Sequence, residues 1–214
     1  MKGIGKKIIT TRTIGMLLVI TGIAIVLVAF GMRYYGETKQ RNMMNDFEKS
    51  ITNYKQEDSA ESPESPESTR SQQDNVPKDK EPIEGLGTIG IIRIPKIDLK
   101  VAIGEGVDMN TLKYGVGHFP QTAMAGQKGN FCVAGHRSYT YSEYFNRLEE
   151  INKGDEIYVK TRKGEYKYIV YDKKVVEPSE YSVLDATQDA TLTLITCTPI
   201  RAATHRLIIK ARMQ

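Results

Sequence analysis

The sequence predicts a small closed or nearly closed β-barrel with few helices, placed behind one membrane-crossing helix and a flexible linker. Three features carry that expectation. The N-terminal region holds a charge-free apolar stretch, an acidic Ser/Pro-rich stretch follows it, and short β-rich runs fill residues 86–214. A chain of 214 residues has room for one ordinary core plus accessory segments.

Residues 13–32, TIGMLLVITGIAIVLVAFGM, contain no charged side chain. As a helix they span about 30 Å, the hydrocarbon thickness of a bilayer. A cleaved signal peptide is the alternative, with Ala29, Phe30 and Gly31 near a processing site. The apolar region of such peptides runs only about 7–15 residues, so a retained anchor is expected. Lys2, Lys6, Lys7 and Arg12 precede the span and Arg33, Lys39 and Arg41 follow it. That slim excess orients residues 1–12 toward the cytoplasm and the rest of the chain outward. The net charge of +4 lies partly in these flanks, and no Lys/Arg run is interleaved with aromatics, so nucleic acid is not an expected partner.

Within residues 33–56, Met44, Phe47, Ile51 and Tyr54 recur at steps of three and four, which continues a helix outward for a few turns. Residues 57–85 are acidic, rich in Ser and Pro and nearly free of large apolar side chains. Such a stretch buries too little surface to offset the entropy of ordering, so it reads as a disordered tether whose length sets the reach of the domain beyond. The SPESPES repeat inside it is read as spacer rather than recognition motif.

From residue 86 the texture changes. GTIGIIRIP, IDLKVAI, GNFCVAG, DEIYVKT, EYKYIVYDKKVV, TLTLITC and HRLIIKA alternate apolar and polar positions and are rich in β-branched residues, as half-buried strands require. Short helices are expected near residues 108–114 and from Ser142, where Phe145, Leu148 and Ile151 share a face. With no βαβ alternation, these strands point to an antiparallel barrel.

The two cysteines need opposite explanations. Cys132 lies inside an apolar strand and reads as a small buried hydrophobe. Cys197 ends its strand before Thr198 and Pro199, where the chain must turn, and reads as a presented thiol. A disulfide between them is the competing reading, since an extracellular pair is free to oxidise. His136 lies four residues past Cys132, about 13 Å along an extended chain, so Cys197 cannot sit beside both. A nucleophilic thiol needs an imidazole to favour thiolate and donors for the oxyanion it generates. His118 and His136 both lie in glycine-flanked turns, with His136 the leading partner. Side-chain alternation puts Leu192 and Leu194 inside and Thr193, Ile195 and Cys197 outside. On the last strand it puts His205, Leu207 and Ile209 inside and Arg206 outside. Arg206 therefore shares the face of Cys197 if the two strands are neighbours, leaving His205 at the rim. Ile195, Thr196 and His118 complete the candidate site as substrate-binding residues. No His, Cys and carboxylate cluster has metal-ligand spacing, and no cofactor is expected.

Thr193-Leu194-Ile195-Thr196-Cys197 resembles the Thr-Leu-x-Thr-Cys signature of sortases. Gly117-His118-Phe119-Pro120, Ala134-Gly135-His136-Arg137 and Thr204-His205-Arg206-Leu207 resemble that family in the same order along residues 86–214. The resemblance implies an eight-stranded sortase barrel with a His136, Cys197 and Arg206 active site. It also implies cleavage of an LPxTG-like sorting signal after its threonine, a thioacyl enzyme, and transfer to an amine of a peptidoglycan precursor at the outer face of a Gram-positive membrane. The Cys197-Thr198-Pro199 and His205-Arg206-Leu207 pattern resembles classes C and D of the family, and with no Asp-Pro pair of the kind that forms a lid in pilus-polymerising sortases and no second hydrophobic run before Gln214, the resemblance is to a class D-like member. Two rival functions share these residues. In a cysteine hydrolase, water replaces the amine, and in a tethered peptide-binding barrel no covalent adduct forms.

Overall fold

The computed structural model describes residues 11–58, 87–137 and 144–214. Residues 1–10, most of the linker expected at 57–85 and the expected helix start at Ser142 lie outside them.

Thr11–Asp58 forms one helix, α1, which joins the apolar span and the juxtamembrane stretch without a break. No proline interrupts this sequence, and the first one, Pro63, follows its end. The apolar part is exposed from Ile14 to Met32, with mean hydropathy 2.7 in its most apolar window. Further along, the expected stripe becomes a packing face. Phe47 and Ile51, with Met44 partly buried, close over Ile91, and Met43 is buried as well. Gln40 donates to the Lys100 carbonyl at 3.1 Å and Glu48 pairs with Lys100 at 3.2 Å. These contacts fasten α1 to the outside of the barrel.

The barrel consists of β1 (Thr88–Ile94), β2 (Leu99–Glu105), β3 (Val116–His118), β4 (Gly129–Ala134), β5 (Glu156–Lys160), β6 (Glu165–Val176), β7 (Ala190–Thr198) and β8 (His205–Met213). It closes in the order β1-β2-β3-β4-β7-β8-β6-β5, with β5 returning to β1, so no strand edge remains unpaired. The expected all-antiparallel arrangement is corrected here, because β2–β3 and β4–β7 run parallel. The first parallel pair follows from a short crossover helix, α2 (Met109–Tyr114). Asp108 caps α2 by accepting from the Asn110 and Thr111 amides at 2.9 and 3.2 Å. Bonds from Thr111 hold the Asp108 carboxyl below its usual range. The second parallel pair is spanned by the whole β5–β6 hairpin. In the β4–β5 connection, residues from 144 onward do not continue the helix expected from Ser142. The described part is a turn followed by one 3₁₀ turn, Leu148–Glu150. Its apolar face is nonetheless as expected, with Phe145, Leu148 and Ile151 fully buried.

Two apolar layers result from the period of two. Ile92, Val101, Val133, Leu192, Leu194, Leu207 and Ile209 fill the interior. Outside the β7–β8 wall, Ile195, Ile208 and Val183 form a second cluster with Phe119, Val176 and Leu184 packed around it. The candidate site lies at the end of that outer layer.

Candidate active site

The site is built by register. Along the β4–β7 seam, Cys132 faces Thr193 and Ala134 faces Ile195 in parallel pairing. The seam extends one step past the strand, where the Gly135 amide donates to the Ile195 carbonyl at 3.1 Å and Thr196 Oγ1 donates to the Gly135 carbonyl at 2.8 Å. The His136 backbone therefore leaves β4 one residue past these ties, toward the end of β7 that carries Cys197.

On the other side β8 runs antiparallel to β7. Ile195 pairs with Ile208, and two residues on, Cys197 pairs with Arg206. Ile195 and Ile208 both belong to the outer cluster, so Cys197 and Arg206 emerge from the same face. The end of β7 thus holds a thiol paired across the ladder with Arg206 of β8, with His136 two residues past the end of β4, all three half-buried. Arg206 Nη1 donates to the Ala203 and His205 carbonyls at 3.1 and 3.0 Å, tying the side chain to the β7–β8 turn. A guanidinium carries five N–H donors, so other nitrogens of the fork are available to a carbonyl in the groove.

Both cysteines are free thiols. Cys132 is fully buried, and burial pushes its thiol up to about 12. It is inert at neutral pH for want of thiolate. Cys197 lies where the ladder ends and is only partly covered.

Of the three residues expected to bind substrate, only Ile195 lies on the outer face. Thr196 is 2% exposed and its hydroxyl is spent on the Gly135 carbonyl. His118 is 1% exposed and pairs with the core residue Val133 across β3–β4, which turns its ring toward the interior. Nδ1 lies 3.0 Å from Glu105 Oε2, and Nε2 lies 3.1 Å from Thr122 Oγ1 and 3.2 Å from the Ala123 carbonyl. With both ring nitrogens engaged, His118 staples β3 to the following turn. His205 sits at the rim, with Nε2 3.1 Å from Glu177.

Sequence reasoning missed Arg137, although it stands beside His136 in a quoted motif. Its residue exposure is 5%. Nη1 donates to Thr198 Oγ1 at 2.9 Å and to the Cys197 carbonyl at 3.4 Å, Nε donates to the Asn146 carbonyl at 3.3 Å, and Nη2 pairs with Glu149. One side chain therefore ties the exit of β4, the end of β7 and the turn after residue 144 together. The signal available in the sequence was a cation adjacent to the candidate histidine. Its partners are distant in sequence and invisible there.

A protein-family model described as the sortase domain matches residues 92–214. Among curated relatives, the chain is 31% identical to sortase A of Listeria monocytogenes over 126 residues, covering 59% of this chain and 56% of that protein. It is 32% identical to sortase D of Bacillus subtilis over 111 residues, covering 51% and 54%. The chain thus spans just over half the length of these relatives. Among solved structures, a sortase D5 transpeptidase of Clostridium perfringens superposes with a TM-score of 0.55 at 35% identity, covering 59% of this chain and 79% of that one. Sortase A of Corynebacterium diphtheriae gives 0.57 at 32% identity, covering 59% and 60%. A closed eight-stranded barrel with these matches, the family model covering residues 92–214, belongs to the sortase family.

Proposed function

We propose that this chain is a cysteine transpeptidase of class D-like type that cleaves an LPxTG-like sorting signal after the threonine and passes the acyl group to an amine of a peptidoglycan precursor. The observation that supports this best is the register at the end of β7, with Cys197 between the exit of β4 at His136 and Arg206 on β8.

The Cys197 thiolate attacks the threonine carbonyl carbon. Arg206 donates to the oxyanion that develops, or to the peptide carbonyl that precedes it. The C–N bond breaks as the His136 imidazolium protonates the departing amine, leaving a thioester on Cys197. Neutral His136 then takes a proton from the incoming amine as it attacks the thioester, and the thiolate leaves. The apolar outer cluster of Ile195, Ile208 and Val183 beside the thiol suits an apolar residue of the signal. Under this reading residues 13–32 anchor the protein, with 1–12 in the cytoplasm, 33–56 outside the membrane, 57–85 as linker and 86–214 as extracellular catalytic domain.

A mass spectrum of the protein mixed with an LPxTG-type peptide tests the proposal. The expected result is an acyl adduct at Cys197 that is absent from Cys197→Ala and is discharged to a peptide–amine conjugate when an amine is added. A hydrolysed product alone at every amine concentration would make the protein a hydrolase. Peptide retained without any adduct would make it a binding module.

A further inference from the structure

We infer that α2 and the groove it forms against α1 seat an anionic phospholipid of the outer leaflet, so that the barrel rests on the bilayer instead of ranging on a free tether. This rests on the reading of residues 13–32 as a membrane span.

The geometry leaves little choice of height. α1 runs unbroken from the apolar stretch into its contacts with the barrel, so those contacts fix how far the barrel stands from the bilayer. The 57–85 segment does not set that distance, because α1 reaches the barrel without it. Contact begins at once above the span, where the Tyr35 ring meets Tyr114 of α2 edge-on at 6.4 Å between centroids. A groove of about 350 Å³ lies between the helices, walled by Val28, Gly31, Met32, Tyr35 and Gly36 of α1 and by Lys113 and Tyr114 of α2. At 1.5 Å per residue, Val28 stands about 6 Å below Met32 and Gly36 about 6 Å above it. The groove therefore straddles the boundary between hydrocarbon and headgroups, a layer itself about 5–7 Å thick on each side.

The lining is graded as that boundary demands. Val28 and Met32 supply apolar wall on the hydrocarbon side. A Cβ added at Gly31 or Gly36 meets nothing within 4 Å, so space remains for an acyl chain between the helices. On the headgroup side are Lys113, whose ammonium lies 5.2 Å from the Tyr114 ring, and two tyrosines of α1, Tyr34 and Tyr35, 73% and 62% exposed. Aromatic residues of this kind settle at membrane interfaces. One turn before Lys113, Met109 is 73% exposed, which puts an apolar tip and a cation on the same side of α2. Of the nearby acids, Glu37 of α1 is paired with Arg33 at 3.6 Å, and the Asp108 carboxylate is held by the Asn110 and Thr111 amides as the cap of α2. Lys39 and Arg41 add further positive charge on α1. The balance favours a phosphate diester on Lys113, with its upper methylenes against Val28 and Met32.

Full-length protein in vesicles of phosphatidylcholine containing phosphatidylglycerol provides the test. In a Cys197→Ala background, a fluorophore on Met109→Cys should be quenched by lipids brominated near the headgroup end of their chains. On gentle release into a native mass spectrometer, the unaltered protein should retain phosphatidylglycerol. Lys113→Glu should retain it at least about fivefold less, the worth of one basic residue at an anionic surface. Gly36→Leu, which fills the groove without disturbing the helix, should displace it too. The inference falls if the protein floats with vesicles while the label at 109 is quenched only from the water, or if both variants keep the lipid. Failure to float would instead remove the membrane span, and the inference with it. Peptide cleavage in detergent by Lys113→Glu should match the unaltered protein, which keeps the catalytic proposal separate from this one.

Discussion

The β4–β7 seam carries a cysteine at its middle and another at its end, on the same face, and treats them oppositely. At the middle every polar group is answered from within. Asn130 Nδ2 donates to the Val183 and Asp185 carbonyls at 3.0 and 3.1 Å, Thr193 Oγ1 donates to Asn130 Oδ1 at 2.7 Å, and the Cys132 thiol points to the Asn130 carbonyl at 3.7 Å. Burial drives the Cys132 thiol up, outweighing the Thr122 and Thr193 hydrogen bonds and the Lys210 charge, which favour a thiolate. At the end the ladder opens, and the last ties are made by Thr196 and Arg137 to backbone, leaving Cys197 between two strand exits. Under the proposed function, chemistry on this seam is decided by where the β4–β7 hydrogen-bond ladder stops, since residue type and face are the same at both positions.

The sharpest way to break the comparison is to delete each thiol. Cys197→Ala should lower transpeptidation by more than about a thousandfold, as removing a nucleophile does. Cys132→Ala should leave the rate nearly unchanged and register only as a modest loss of melting temperature. Equal losses in rate would mean that the middle of the seam takes part in the reaction. Alkylation of the native protein reads the same contrast directly. At pH 8 a thiol whose pKa is about 12 is thiolate to only about one part in ten thousand. Cys132 should then react about a thousandfold more slowly in the folded than in the unfolded chain. The sign is definite: the raised pKa keeps the proton on, so the folded-state rate should climb about tenfold per pH unit until pH approaches 12.

The flanks of Cys197 come next. His136→Ala and Arg206→Ala should each lose at least about a hundredfold in kcat/KM, the usual scale of an acid–base or oxyanion group. His205→Ala should lose far less, because His205 pairs with Thr198 beyond the thiol and leans on Glu177. If His205→Ala were the crippled variant and Arg206→Ala the healthy one, the shared face of Cys197 and Arg206 would not be the working face. Arg137 should act through position. Arg137→Met should cut kcat by about tenfold with little change in KM, and Arg137→Lys should recover part of it, because a point charge keeps the ion pair but not the fork. A variant that lost stability in proportion and kept kcat would make Arg137 a purely structural clamp.

How far the sequence could carry this is itself uneven along the seam. Alternation in TLTLITC and HRLIIKA was enough to put Arg206 rather than His205 on the face of Cys197, because the signal is local and repeats every second residue. The long strands were readable for the same reason. β3 was not, since Val116-Gly117-His118 is too short for any period to emerge. Parallel pairing was hidden because it depends on the path of connections, and no residue of β4 or β7 records it. The outward helix stripe at Met44, Phe47 and Ile51 was visible, yet its partner Ile91 was not. His118 misled for a related reason: a histidine after a glycine and just before Phe119-Pro120 looks presented, and only the pairing with Val133 turns it inward.

Asn130 offers the smallest expected effect and the finest probe of how the two halves of the seam cooperate. It is 1% exposed, and its amide holds the turn at Tyr181–Leu184, which carries Val183 and Leu184 into the apolar cluster beside the thiol. Asn130→Asp keeps the shape and the acceptor but removes the two donors, leaving the carbonyls of Val183 and Asp185 facing a carboxylate. The expected cost is about 1–3 kcal/mol of stability, the usual penalty for unanswered buried polar groups. Because the groove wall loosens while the thiol, histidine and guanidinium keep their register, KM should rise by more than kcat falls. A fall in kcat with KM unchanged would mean that the middle of the seam sets the geometry of its end, and that the two cysteines sit in one cooperative unit instead of two separable environments.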